Sequence, residues 1–296
     1  AGVLGVDPEK LRGIAPEVGG GFGAKANVYT EEILVPWLAK ELGRPVKWVA
    51  TRSEDYLVTS HGRDQINIIR LASDKNGKVS GADLKVIANC GAYYSPNMPG
   101  IPPLTAMMMT GVYEIPGRPE AAFMIERAMD VLAKELGLDP TEVRRRNFIP
   151  PEKFPYATPT GAKYDSGEYA MNMAAALEKV DYAGLRAEQA KRRANGDGKL
   201  LGIGVATYVE ICGFGPWESG TVTVDVDGKV TVLTGTSPHG QGHETAWAQL
   251  ASGILQIPME DIVVKHGDTA VIKRGIGTFG SRSAPVGGSA VYCNSE

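Results

Sequence analysis

Cysteine is scarce in this chain: Cys90, Cys212 and Cys293 are the only three in 296 residues. They stand far apart with no C-x-x-C pair, so the chain alone cannot build a four-thiolate zinc or iron–sulfur centre. The simplest reading is three buried thiols of a reducing cytoplasm. An excess of basic charge is also missing. Lys and Arg number 31 against 34 Asp and Glu, a net charge of −3, which removes the positive field that nucleic acid or an anionic membrane demands. No apolar run approaches the ~20 residues of a membrane span. The start, Ala1-Gly2-Val3-Leu4-Gly5, lacks the basic and then apolar regions of a secretory leader. A cytoplasmic location is expected, and a chain that opens on Ala1 in mid-pattern suggests an internal portion of a longer polypeptide. Histidine is confined to His61, His239, His243 and His266, and there is no Gly-x-Ser-x-Gly elbow. Hydrolytic triads therefore recede.

Glycine, by contrast, is plentiful at 37 residues, within an otherwise ordinary globular composition of 43% hydrophobic and 22% charged residues. Several glycines gather in three segments: Val18-Gly19-Gly20-Gly21-Phe22-Gly23-Ala24-Lys25, Pro238-His239-Gly240-Gln241-Gly242-His243-Glu244-Thr245, and Gly277-Thr278-Phe279-Gly280-Ser281-Arg282-Ser283. Glycine admits positive φ and lets foreign atoms approach the main chain. Three such loops brought together would cradle a large polar anion on backbone amides.

Length suggests about two domains. Residues 24–42 have helical spacing and stop at Gly43, so the first glycine loop is expected to open a helix, kinked at Pro36. Pro45 to Thr51 reads as a strand. Gln65 to Ser73 and Lys78 to Ala88 read as a hairpin around Asp74-Lys75-Asn76-Gly77. Helices are expected over Ala121 to Leu136 and after the Asp139-Pro140 cap, with Arg144-Arg145-Arg146 on the solvated or loop-facing side. Two helices share 168–194, separated near Asp181. From Leu200 the pattern turns to strands, with Thr221 to Val226 pairing Lys229 to Leu233 through Asp227-Gly228. Ala246 to Leu255 reads as helix and Ile262 to Lys265 as strand. The mixed order is α+β.

The first loop is not followed by Lys-Ser or Lys-Thr, so a P-loop fails on the residues that hold phosphate and Mg²⁺. The dinucleotide fingerprint is matched only loosely. His239 and His243 are spaced like a zinc pair, but Gly240 and Gly242 oppose the helix that would align them; no metal ligand is assigned. Gln241 offers a two-way amide with open approach on both sides. Ser281, Arg282 and Ser283 offer two hydroxyls and a guanidinium suited to phosphate.

Together these segments resemble the molybdenum-binding large subunits of the xanthine dehydrogenase, aldehyde oxidase and carbon monoxide dehydrogenase family, over essentially the whole chain. Val18-Gly19-Gly20-Gly21-Phe22-Gly23 is similar to the first pterin-binding segment and Gly117-Arg118-Pro119-Glu120-Ala121 to the tail of the second. Gly240-Gln241-Gly242-His243-Glu244 is similar to the third, and Gly280-Ser281-Arg282-Ser283 to the fourth. The resemblance implies an α+β fold of two mixed α/β domains, 1–116 and 117–296, each partial, with the molybdopterin site between them. It implies molybdopterin cytosine dinucleotide with molybdenum, held by Gly20, Gly21, Phe22, Gly23, Arg118, Gly240, Gln241, Gly242, His243, Gly280, Ser281, Arg282 and Ser283. The implied reaction hydroxylates an aldehyde or N-heterocycle with water-derived oxygen. Electrons then leave through the 2Fe-2S clusters of an iron–sulfur small subunit to the FAD of a medium subunit.

Two departures qualify that expectation. The family's Ala-Tyr-Arg-Gly-Ala run is absent where Ile115-Pro116 meets Gly117-Arg118, and its Val-Gly-Glu segment has no counterpart before Glu296. General-base catalysis needs a positioned carboxylate, so no catalytic residue is assigned. The alternative is a noncatalytic fragment that keeps the fold and subunit contacts without cofactor.

Overall fold

The computed structural model describes residues 1–22, 24–26, 28–59, 64–89, 118–158, 163–196, 198–209, 212–213 and 215–295. Cys90, Gly117, His61 and Glu296, singled out above, lie outside them, and Cys212 and Cys293, expected to be buried, are exposed. The architecture is mixed α+β, as the element order predicts. No described helix is long and apolar enough to cross a membrane.

Two helices, α1 (Thr30–Leu42) and α2 (Arg52–Val58), open the chain after short 3-10 turns. The first glycine loop does not run straight into α1. It leads into a 3-10 turn at Ala24–Ala26, and α1 starts only at Thr30, where the Tyr29 amide donates to Glu32 Oε2 at 2.9 Å. The strand expected at Pro45 to Thr51 is absent. That stretch finds no ladder partner among the described residues, and Thr51 instead caps α2 by exchanging hydrogen bonds with Glu54.

The hairpin forms as expected. Strands β1 (Gln65–Ser73) and β2 (Val79–Ala88) pair antiparallel from Gln65↔Ala88 to Ser73↔Val79. Asp74 Oδ1 accepts the amides of Asn76 and Lys78 to close the turn. Helices α3 (Arg118–Leu136) and α4 (Pro140–Asn147) pack on this hairpin. Buried Met129, Ala133 and Val143 meet Leu71, Val79, Leu132 and Leu138, and Asn147 Oδ1 accepts the Val79 amide at 2.8 Å. This core draws on residues from both sides of position 116.

Arg144 corrects the sequence reading. It is 1% exposed, with Nε on Glu126 Oε2 at 2.6 Å and Nη2 on Asp130 Oδ1 at 2.9 Å. Arg145 and Arg146 are the outward members, both bonded to Glu142 one turn back. The cause is helical phase: only the first arginine of the run faces α3.

After the short strands β3 (Tyr156–Ala157) and β4 (Lys163–Tyr164) come α5 (Tyr169–Lys179) and α6 (Tyr182–Asn195), parted as expected at Asp181, whose φ is 48°. The strands expected from Leu200 begin only at Gly220. Residues 200–209 form no ladder, and the Thr207 amide donates to Glu126 Oε2 instead. A three-stranded sheet then forms from β5 (Gly220–Val224), β6 (Val230–Thr234) and β7 (Ile262–Lys265), with β5 and β6 antiparallel and β6 and β7 parallel. Helix α7 (His243–Leu255) makes the crossover that a parallel pair requires. A π-helical stretch, Ser283–Gly288, leads into α8 (Ser289–Ser295). Val230, Val232, Trp247, Ala248, Ala251, Ile262 and Val291 form the larger core, between this sheet and α7 and α8.

Candidate cofactor site

The first and third glycine segments meet directly. The Gly20 amide donates to the His239 carbonyl at 2.6 Å, and a Cβ added to Gly21 would lie 3.0 Å from His239 Nδ1. Gly20 has φ 99°, which lets the loop double back so that the exposed Phe22 ring covers it. Gly23 lies outside the described residues. On the third segment, Gly240 and Gly242 have φ 121° and 73°, and among the described residues an added Cβ at either would meet nothing within 4 Å. Their main chain thus faces open space at the point where α7 begins, and a helix start presents amides to an anion. Gln241 is exposed and accepts the His239 amide through Oε1.

His243 is buried beside Trp247, ring centroids 5.4 Å apart. Burial pushes its pKa below the ordinary histidine range, against a hydrogen bond to the Thr236 carbonyl. Glu244 turns outward to His266, Oε1 to Nε2 2.5 Å, and its carboxyl lies below the usual range through its own backbone amide and His266. Among the described residues, Ser237 Oγ, His243 Nδ1 and His266 Nδ1 are buried without a hydrogen-bond partner, all within or beside the third segment.

The chain that follows the fourth segment packs against residues that flank the third. Trp247 Nε1 donates to Thr236 Oγ1 at 3.0 Å, and Gly287 and Gly288 lie so close to Thr236 and Trp247 that a Cβ would meet them at 2.5 and 3.1 Å. Gly280 and Ser281 both take the left-handed conformation, φ 57° and 45°, and the Ser281 carbonyl accepts the Gly213 amide. Ser283 Oγ donates to Thr278 Oγ1 at 3.1 Å.

Arg282, expected on phosphate, has no exposed surface. Its guanidinium bonds Glu218, the Gly277 carbonyl and the Trp217 carbonyl, and lies over the Phe279 ring. Glu218 is the residue that sequence reasoning missed. It precedes β5 as one acid among many, with nothing local to single it out. Burial would push its carboxyl up. Arg282 and the amides of Ser219, Gly277 and Ile276 outweigh burial and hold it below the usual range.

Arg118 begins α3; its side chain and Gly117 lie outside the description. The structure therefore brings the first segment onto the third by a main-chain bond, while the chain just after the fourth segment packs on Thr236 and Trp247, which flank the third. The positive-φ Gly240 and Gly242, clear of other described residues and flanking the exposed Gln241 at a helix start, fit a ligand rich in hydrogen-bonding groups. Among the described residues no cluster of three or more His, Cys, Asp or Glu could hold a metal ion directly.

Comparison with known proteins gives that ligand class a name. Residues 1–117 and 116–148 match one sequence family and 175–295 another, both described as a molybdopterin cofactor-binding domain. The carbon monoxide dehydrogenase large chain of Hydrogenophaga pseudoflava is 36% identical over 97% of this chain and 40% of its own length. The nicotine 6-hydroxylase large subunit of Paenarthrobacter nicotinovorans is 35% identical, over 97% of this chain and 39% of that protein. The crystal structure of quinoline 2-oxidoreductase from Pseudomonas putida 86 superimposes with a TM-score of 0.88 at 33% identity, covering 97% of this chain and 41% of that one. The chain thus spans about two fifths of the length of the curated relatives it matches. It belongs to the family of molybdopterin-binding large subunits that includes xanthine dehydrogenase, aldehyde oxidoreductase and carbon monoxide dehydrogenase.

Proposed function

We propose that this chain is the cofactor-holding portion of a molybdenum hydroxylase large subunit that oxidises an N-heterocycle or an aldehyde. The observation that carries the reading is the main-chain bond from Gly20 to His239, which joins the first and third glycine segments beside Gly240 and Gly242, where no described residue comes within 4 Å of an added Cβ. Gly20, Gly21, Gly240 and Gly242 would offer backbone to the pterin, with Gln241 and His243 beside them. Gly280, Ser281 and Ser283 would hold the dinucleotide end, taken as the cytosine form, while Arg282 shapes their loop. Phe22, exposed at the rim, would border the reacting centre, and Gly23 and Arg118 complete the proposed set. The bound molybdenum supplies a two-electron oxidation with water as the oxygen source. Segments would come from both parts of the chain, 1–116 and 117–296.

The names of the nicotine and quinoline enzymes favour an aromatic N-heterocycle over an aldehyde. Identity does not separate the branches, since the carbon monoxide dehydrogenase and nicotine hydroxylase chains differ by one percentage point. Several relatives are named as large chains or subunits, which supports separate subunits bearing the 2Fe-2S clusters and FAD. Protein purified from a molybdenum-sufficient host should carry molybdenum and, after oxidation, pterin fluorescence in equal amounts. Well-folded protein carrying neither overturns the reading.

A further inference from the structure

We infer that the Glu218–Arg282 ion pair is a positioning clamp that sets the fourth glycine segment against the approach to the third. The pair is sealed: both side chains have 0% exposure. Glu218 sits where three pieces of chain meet. Its Oε1 accepts the amides of Ser219 at 2.9 Å and Ile276 at 3.0 Å, and its Oε2 accepts the amide of Gly277 at 2.9 Å. Arg282 answers from the far side of the loop, bonding Glu218, the Gly277 carbonyl and the Trp217 carbonyl. Both ends of the 277–282 turn are thus tied to a single carboxylate.

The same carboxylate approaches the chain that leads into the third segment. A Cβ on Gly235 would lie 2.2 Å from Glu218 Oε1 and 2.7 Å from Gly275 Cα, so β6 leaves the sheet in contact with the clamp two residues before Ser237. Arg274 stacks 5.2 Å over the Trp217 ring and its carbonyl accepts Ser219 Oγ, which locks the near side. Glu218 therefore ties the start of β5, the exit of β6 and the 274–282 loop together. A guanidinium with no exposed surface is not available to a phosphate. Its work is to hold the turn on which the half-buried Gly280, Ser281 and Ser283 lie.

This inference rests on the cofactor reading only for its ligand; the clamp itself is read by amide exchange. In the full polypeptide made in a molybdenum-sufficient host, Glu218→Gln and Arg282→Lys are each expected to lower pterin and molybdenum per folded chain by about 10- to 100-fold, the usual effect of removing groups that orient a ligand's holders. Exchange at the Ile276 and Gly277 amides should quicken in both. A pair that merely adds stability would lower the melting temperature with pterin per folded chain unchanged, and that result overturns the inference. So does loss of pterin in Arg282→Gln with full retention in Glu218→Gln, which would make the guanidinium a direct anion ligand. If either single variant fails to accumulate, the double replacement Glu218→Met/Arg282→Leu removes both charges together. Folded double variant with wild-type pterin and slow exchange overturns the clamp; low pterin with fast exchange supports it. Wild-type protein without pterin defeats the cofactor reading, while protection of Ile276 and Gly277 in wild type, lost in Glu218→Gln, still upholds the clamp.

Discussion

Replacing Arg144 by methionine tests whether the α3–α4 junction is held by charge. The substitution keeps the apolar stem in a site of 1% exposure and deletes bonds to Glu126 Oε2, Asp130 Oδ1 and the carbonyls of Glu126 and Pro140. Breaking a buried ion pair from one side costs about 3–5 kcal/mol, because the other charge is left stranded. Here the Glu126 and Asp130 side chains are 11% and 28% exposed. Water can reach part of both, so the lower end, about 3 kcal/mol, is expected for Arg144→Met. Glu126→Gln in the same chain neutralises the stranded carboxylate yet keeps an acceptor for the Thr207 amide. The double variant should recover at least about 1 kcal/mol relative to the sum of the singles. Urea unfolding followed by circular dichroism, with an unchanged denaturant slope, reads all three. A loss under about 1 kcal/mol for Arg144→Met, or strict additivity in the cycle, would refute the reasoning.

Gly235→Ala should lower stability by about 1–3 kcal/mol, since its Cβ would strike Glu218 and Gly275 and the backbone must give way; an unchanged thermal midpoint contradicts the close approach. His243, with a pKa depressed by burial, stays neutral when the unfolded chain takes up a proton. Stability therefore falls as pH drops below about 6.5, the unfolded value. That part of the pH slope should vanish in His243→Gln. Asp268 is held at about 2 by Arg12 and the Ala270 amide. Its contribution is present above the unfolded value of about 3.9 and is lost as pH falls through about 2. A carboxyl resonance titrating near 4 in the folded protein would contradict the Arg12–Asp268 bond.

Much of the fold was legible because its elements advertise themselves locally. The Asp74–Gly77 turn between alternating strands, the Asp139-Pro140 cap and the Asp181 break each carry their own chemistry, and each was found where expected. The misses share one cause. Pro45 to Thr51 has strand-like residues, but a strand exists only with a partner, and nothing local reveals that Thr51 will cap a helix instead. Residues 200–209 failed the same way, with the Thr207 amide taken by a side chain 81 positions distant. At the site, the glycine segments were readable because unusual backbone leaves a compositional trace. Glu218 left none: its role is defined by Arg282, 64 residues on. Arg282 and Arg144 show the matching difficulty, since a buried arginine and a solvated one are written with the same letter.

The parallel pairing of β6 with β7 also governs when the third glycine segment can take shape. That segment lies inside the β6–α7–β7 crossover, between a strand ending at Thr234 and a helix starting at His243. Parallel contacts wait for the intervening chain to close, which makes them late events in folding. The bend at Gly240 and Gly242 should therefore harden only after β7 docks, so a ligand seated there arrives at a finished protein and does not nucleate it. Pulse-labelling exchange during refolding would show amide protection at Val232 and Val264 preceding that at Gly20, whose amide donates to the His239 carbonyl of the third segment; the reverse order would place the loop first.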